Sequence, residues 1–427
     1  MPAQKKTTLA ISCGDPNGVG IEVALRAFAD ARLFDYFTPV LYAGEALVRE
    51  HQEANGLQKV SVTFLKAAAP APLPSDAAAV DEGAVDPEEG VLDEAVAARG
   101  ETSAMDPADR GDRVRDAGEP APLDLDPDAE TVYVVSCFDE SEGSRQQSVK
   151  ADFGRVTPEG GAAAKTSLDA ATAALAAGHV DALVTAPIHK SAMQQSSFGY
   201  PGHTEYLQER FGKGRSLMLM VGEDGLRVAV ATNHVPLRQV ASGISPTILQ
   251  NKIQLLHRSL ERDFGINGPL IAVLGLNPHA GDDGAIGTEE LQTIRPAVEA
   301  AKDKGMDVYG PYPADGFFGS GKFRDFDGVL AMYHDQGLVP FKTLAFGGGV
   351  NFTAGLSVVR TSPDHGTALD IAGQGKATAD SFRAAAFLAR EVSLTRQGYD
   401  EAHANPLRRR FVKGGRKGKG KRPARKG

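Results

Sequence analysis

Residues 328–337 read Gly328-Val329-Leu330-Ala331-Met332-Tyr333-His334-Asp335-Gln336-Gly337. An unbroken apolar run that opens on glycine and closes on a polar cluster spells a strand buried on both faces, with chemistry at its end. Two other stretches repeat this pattern. Residues 227–234 are Arg227-Val228-Ala229-Val230-Ala231-Thr232-Asn233-His234, and residues 270–281 carry Leu270-Ile271-Ala272-Val273-Leu274 into Leu276-Asn277-Pro278-His279-Ala280-Gly281. Strands without polar alternation belong to a mostly parallel sheet covered by helices on both sides, and ligands in such sheets bind at strand ends. Three imidazoles converging there, His234, His279 and His334, suit one divalent metal that keeps open positions for a substrate.

Working outward, further strands are expected over residues 8–12, 39–42, 60–64, 131–137, 182–185, 217–221, 350–353 and 357–360. Helical spacing is expected over 21–28, 45–53, 158–177, 247–263, 289–304 and 379–394. Alternating strands and helices define an α/β class. No Gly-x-Gly-x-x-Gly follows any strand, so a standard dinucleotide fingerprint is absent. The turn Gly14-Asp15-Pro16-Asn17-Gly18-Val19-Gly20 reads as a tight strand-to-helix connection before it reads as a phosphate cradle. Residues 316–322 imitate a phosphate loop, but Phe323 stands where a hydroxyl should reach magnesium, and that reading is rejected.

The 427 residues are 42% hydrophobic, enough for a large two-lobed body. Two cysteines, Cys13 and Cys137, exclude a disulfide framework and a cysteine-based zinc site and fit a reducing cytoplasm. No stretch has the apolar length of a membrane span or a signal peptide. The net charge of −9 conceals two extremes: residues 67–130 hold 18 Asp and Glu against 4 Arg, and residues 407–427 hold 11 Lys and Arg with no acid. The first reads as an acidic disordered insertion and the second as a basic disordered tail. The tail suits weak, salt-dependent contact with polyanions, contact with the insertion, or plain solvation.

Two polar groups point to an anionic substrate, and a third stretch to a cofactor. Gly202-His203-Thr204-Glu205 precedes a helix, where Thr204, His203 and the first helical amides can grip an anion, or Thr204 simply caps. Lys342, Asn351 and Arg360 supply two cations and an amide downstream of His334, suited to phosphate or carboxylate. The compact stretch 364–376 has small residues, Gly373 among them, that let a flat cofactor approach. His365 is placed to stack or donate and Asp370 to take ribose hydroxyls; the alternative is a helix with a glycine cap.

Together with Thr185-Ala186-Pro187-Ile188-His189-Lys190, Pro313-Ala314-Asp315 and the Gly14–Gly20 turn, these motifs closely resemble the 4-hydroxythreonine-4-phosphate dehydrogenase (PdxA) family. The likeness covers nearly all of the chain outside residues 67–130 and the tail, and neither of those belongs to the family pattern. It implies an isocitrate/isopropylmalate dehydrogenase-like fold of two α/β/α lobes with a cleft between them. One lobe would comprise residues 1–66, 131–186 and 346–406, and the other residues 187–345. It implies NAD, or NADP in its place, and one divalent metal per site on His234, His279 and His334, shared across a homodimer. Zinc or cobalt leads among metals, ahead of magnesium or manganese. Substrate contacts would come from His203, Thr204, Lys342, Asn351 and Arg360. Lys342, Asp315 and Asp335 are the catalytic candidates, the two aspartates for proton transfer or for orienting the histidines. The implied reaction oxidises 4-phosphooxy-L-threonine at C3 and releases CO2, in pyridoxal phosphate biosynthesis. Two competitors stand beside it: a sister dehydrogenase of 4-phospho-D-threonate or D-erythronate, and a catalytically silent scaffold.

Overall fold

The computed structural model describes residues 5–65, 122–138, 149–212, 215–345 and 347–405. Residues 67–121 of the acidic stretch and the whole of 407–427 lie outside the described residues. The acidic composition extends to Glu130, yet residues 122–130 are held against the sheet. Leu123 and Leu125 pack on the core, and the Asp126 amide donates to the Tyr133 hydroxyl at 2.9 Å. Two leucines alternating with aspartates anchor this end, which an average over the acidic stretch conceals.

Among the described residues the strands are β1 (Thr7–Ser12), β2 (Phe37–Tyr42), β3 (Val62–Leu65), β4 (Val132–Val135), β5 (Ala182–Thr185), β6 (Leu217–Val221), β7 (Arg227–Thr232), β8 (Ile271–Leu274), β9 (Val308–Tyr312), β10 (Gly328–Tyr333), β11 (Val350–Ala354) and β12 (Arg360–Pro363). They form one sheet in the order β3-β4-β2-β1-β5-β12-β11-β6-β7-β10-β8-β9. Pairing is parallel except along β12-β11-β6-β7 in the middle. The chain leaves edge strand β3 at Leu65 and returns at residue 122 to form β4, its parallel neighbour.

One face of the sheet is covered continuously. Helices α1 (Gly20–Ala27), α2 (Glu45–Ala54), α7 (Pro246–Arg262), α8 (Arg295–Asp303) and α11 (Asp380–His403) share a single apolar core running from Leu9 to Val298. On the other face the cover is split. Helices α3 (Pro158–Ala176), α4 (Lys190–Gln195) and α5 (His203–Phe211) pack over β1, β2, β4 and β5. Helices α9 (Ala314–Gly319) and α10 (His334–Leu344) pack over β6, β7, β8 and β10, while α6 (Leu237–Val240) is a single turn after β7. Between the two groups the floor is β11, whose sequence alternates in polarity, and β12, which opens with the polar run Arg360-Thr361-Ser362. Val350, Phe352 and Ala354 enter the continuous core, so Asn351 and Thr353 face the gap.

Local chemistry fixes the helix starts. Thr157 caps α3 by accepting from the Gly160 amide at 3.0 Å, with Pro158 at the first helical position. Ser245 and Pro246 do the same for α7. Each cap stabilises by about 1 kcal/mol. Thr157 also accepts from the Asn17 amide group at 2.9 Å, which ties the Gly14–Gly20 turn to the head of α3.

His51 on α2 closes the underside of that turn. Its Nε2 lies 2.8 Å from the Pro16 carbonyl, so Nε2–H donates, and the ring meets Phe153 edge-on. Burial pushes its pKa down to about 4. The unfolded chain therefore takes a proton at higher pH than the folded one. Stability is complete above pH 6.5 and is lost as pH falls from 6.5 towards 4, by about 3 kcal/mol. Urea midpoints across this interval should fall for the native chain and vary less for His51→Phe; parallel profiles would remove His51 from the account.

Candidate active site

The gap over β11 and β12 is a cavity of about 300 Å³ lined by residues from both helix groups. Arg360, at the start of β12, lies at its floor and is only 2% exposed. Its Nε and one terminal nitrogen donate to Thr185 Oγ1 at 3.0 and 2.6 Å, and the other donates to Thr353 Oγ1 at 3.1 Å. Burial brings its pKa down to about 10, with Glu205 opposing the shift, so it stays a cation at neutral pH. No carboxylate lies within ion-pair distance of it among the described residues. A buried guanidinium held by hydroxyls alone attracts an incoming anion strongly.

His203 opens α5, and burial, then the charges of Arg360 and Lys190, hold its pKa well below the ordinary histidine value. Its Nε2, Asn351 Oδ1 and His365 Nε2 are buried without hydrogen-bond partners among the described residues, and all three residues line the cavity. Unpaired buried polar atoms cost free energy unless a ligand or water completes them. Thr204 and His234 line the same space, as does Lys342, whose Nζ lies 3.0 Å from Asp364. Lys190, Glu205, Ser362 and Asp364 also line it, although no role was expected of them. Lys190 was legible as the cation that closes Thr185-Ala186-Pro187-Ile188-His189-Lys190 directly after β5.

The metal candidates are divided. His234 and His334, at the ends of neighbouring β7 and β10, place their ring centroids 5.5 Å apart. His334 Nδ1 lies 2.7 Å from Asp335 Oδ1; with Nδ1–H donating, Nε2 is left free to ligate. Burial, followed by Lys190 and His334, lowers the pKa of His234 and favours the neutral ligand form. His279 is exposed on a turn after β8 and does not join them. Among the described residues no three His, Cys, Asp or Glu form a metal-holding group. The two adjacent imidazoles are chemically suited to serve as two donors to a divalent cation.

Other expected residues lie outside the cavity. Asp315 is exposed in the first turn of α9, a helix that contacts the turn bearing His279. Asp370 is exposed. Gly373 has φ +70, and a Cβ there would stand 2.7 Å from the Phe153 ring, so packing suffices to explain this glycine. Gly14 has φ +65 and presses on the Pro187 carbonyl. The amides of its turn are already engaged, Asp15 to Pro187 at 2.9 Å and Val19 to Thr367 at 3.0 Å, which makes it a connection and not an anion cradle. Residues 316–319 fall in α9, so the rejected phosphate loop has no strand before a glycine turn.

Residues 91–389 match the family model described as pyridoxal phosphate biosynthetic protein PdxA. The chain belongs to the PdxA family. A 4-hydroxythreonine-4-phosphate dehydrogenase of Bacteroides thetaiotaomicron is 39% identical over 96% of this chain and 94% of its own length. That of Chromobacterium violaceum is 47% identical over 57% of this chain and 74% of its own. The crystal structure of the Klebsiella pneumoniae 4-hydroxythreonine-4-phosphate dehydrogenase superposes with a TM-score of 0.68 at 29% identity, covering 92% of this chain and 99% of the other. A terephthalate 1,2-cis-dihydrodiol dehydrogenase of Burkholderia xenovorans shares the fold, with a TM-score of 0.53 at 24% identity, 91% of this chain and 98% of the other being covered. The expected α/β class is therefore that of solved PdxA dehydrogenases.

Proposed function

We infer that this PdxA chain is a dehydrogenase that oxidises 4-phosphooxy-L-threonine at C3 with loss of CO2 to give 3-amino-2-oxopropyl phosphate, for pyridoxal 5'-phosphate synthesis. The observation that carries the reading is the buried Arg360, which among the described residues has no carboxylate partner and faces a cavity lined by His203 and Asn351 atoms that no described residue pairs. Such a floor suits a phosphate or carboxylate on a small substrate, as the relatives' names describe. Arg360, Lys342, Asn351, Thr204 and His203 would bind and orient the anionic ends. Lys342 would also donate a proton to carbon after CO2 departs.

His234 and His334 would hold a divalent cation with His279 from a second copy, and Asp335 would keep the His334 tautomer fixed. When bound, the cation would supply Lewis acidity, and NAD, or NADP, would supply the hydride acceptor. His365, with its free Nε2 in the cavity, is the better supported cofactor contact; Asp370 and Gly373 would flank it. Asp315 would serve the site built around His279. Exposed Val235, Leu237, Ile286, Leu291 and Val339 surround the three histidine-bearing segments, as expected of a homodimer interface. The proposed lobes are residues 1–66, 131–186 and 346–406 against residues 187–345. The grouping of β6 to β10 in the sheet supports this division of the strands, while α4 and α5 pack against the first lobe. No helix among the described residues is long and apolar enough to cross a membrane, and a cytoplasmic location is proposed.

The test is NADH formation by the cobalt- or zinc-loaded chain with three substrates. A kcat/KM for 4-phosphooxy-L-threonine at least about 100-fold above those for 4-phospho-D-threonate and 4-phospho-D-erythronate is expected. Preference for either acid would move the reading to the sister activity, and no NADH from any would leave a scaffold.

A further inference from the structure

We propose that Glu290 is a positioning residue for His279, a role that rests on the reading of His279 as a metal ligand. Glu290 is 1% exposed and opens the single π-helical turn Glu290–Ile294 that leads into α8. Its Oε1 accepts from the amides of Leu276 and Asn277 at 2.8 and 2.7 Å. Its Oε2 accepts from Asn277 Nδ2 at 3.0 Å. No cation lies within ion-pair distance of Glu290 among the described residues. Three N–H donors therefore satisfy this buried carboxylate, and all three belong to the chain just ahead of His279.

The turn beyond those donors is strained and has to be held. His279, Ala280, Gly281, Asp282 and Asp283 have φ of 54, 51, 79, 40 and 49°, a left-handed run in which only one residue is glycine. Each non-glycine residue costs about 1 kcal/mol or more in this region. Such a run persists only when its surroundings determine it. Gly281 packs directly against the Glu290 carboxylate, which thus holds both the start and the middle of the turn. The start is also registered to the other histidines. Gln336 accepts from the Met332 amide at 2.7 Å and donates to the Gly275 carbonyl at 2.6 Å, joining the ends of β10 and β8. Gln336 sets where the His279 segment begins, and Glu290 sets the direction in which it leaves.

Glutamine at 290 would keep the shape but turn one acceptor oxygen into a donor facing other donors. The experiment is cobalt titration of the full chain, read by visible absorption, with inorganic phosphate binding measured alongside. Glu290→Gln should weaken cobalt binding on the order of 10- to 100-fold and alter the spectrum, while phosphate affinity stays within about twofold. Glu290→Asp keeps the charge but falls one methylene short; it should show the same loss and decides the matter if the glutamine variant does not fold. Unchanged cobalt affinity in a folded variant overturns the proposal, provided His279→Ala has lost cobalt. Parallel loss of cobalt and phosphate also overturns it, because Glu290 would then support the whole site. If His279→Ala itself retains cobalt, the ligand reading fails, and the positioning role with it.

Discussion

Mixing inactive His234→Ala chains with inactive His279→Ala chains should restore about a quarter of native turnover, whereas mixing His234→Ala with His334→Ala should restore none. The sequence could not say which histidines share a chain, but the 5.5 Å approach of the His234 and His334 rings places those two on one protomer. In a two-fold dimer with His279 supplied by the partner, half of the re-assorted dimers are mixed, and each mixed dimer holds one complete site. In the second mixture every site lacks one of the paired imidazoles. Each single variant alone should lose turnover by at least about 1,000-fold. Recovery in the second mixture, or none in the first, would mean that the shared-site arrangement is wrong.

Replacing Arg360 with methionine should lower kcat/KM by about 1,000-fold, or about 4 kcal/mol, through loss of the desolvated cation proposed to meet the substrate's anionic group. Arg360→Lys should recover only part of this, because an ammonium cannot span both Thr185 and Thr353 as the guanidinium does. Free-protein stability should move the other way. A guanidinium buried on hydroxyls alone is costly to fold around, so the methionine variant should melt no lower than the native chain. The check is a pair of measurements, inorganic phosphate affinity and the thermal midpoint. Undiminished phosphate binding would remove Arg360 from the anion site.

The apolar runs around residues 228–232, 271–274 and 329–332 were legible because strands buried on both faces leave no alternation to misread. Residues 357–360 were not. Val358 and Val359 drew the expected strand too early, while β12 is Arg360–Pro363, whose polar residues pair because β5 and β11 flank it. Strand β9 was hidden by Gly310 and Pro311, and α10 by Gly337 and Pro340, residues that tertiary packing overrides. At the site, Arg360, Asn351, Lys342, His203, Thr204, His234 and His365, singled out in the sequence for different roles, line one cavity. Glu290 escaped notice because nothing local marks a glutamate whose partners lie thirteen and fourteen residues back.

The place where the chain leaves β3 sets what the protein can carry. Strand β3 is at the sheet edge, four strand spacings from β5, or about 19 Å from the nearest strand bordering the cavity floor. Because β3 and β4 are parallel, any link between them must run back along the full strand, so it has a minimum length. Above that minimum, doubling the link adds only about 0.6 kcal/mol of closure entropy. By this argument a reporter or tether spliced between Leu65 and residue 122 is expected to leave the register of the strands that carry Asn351 and Arg360 unchanged, which activity of such a fusion would check.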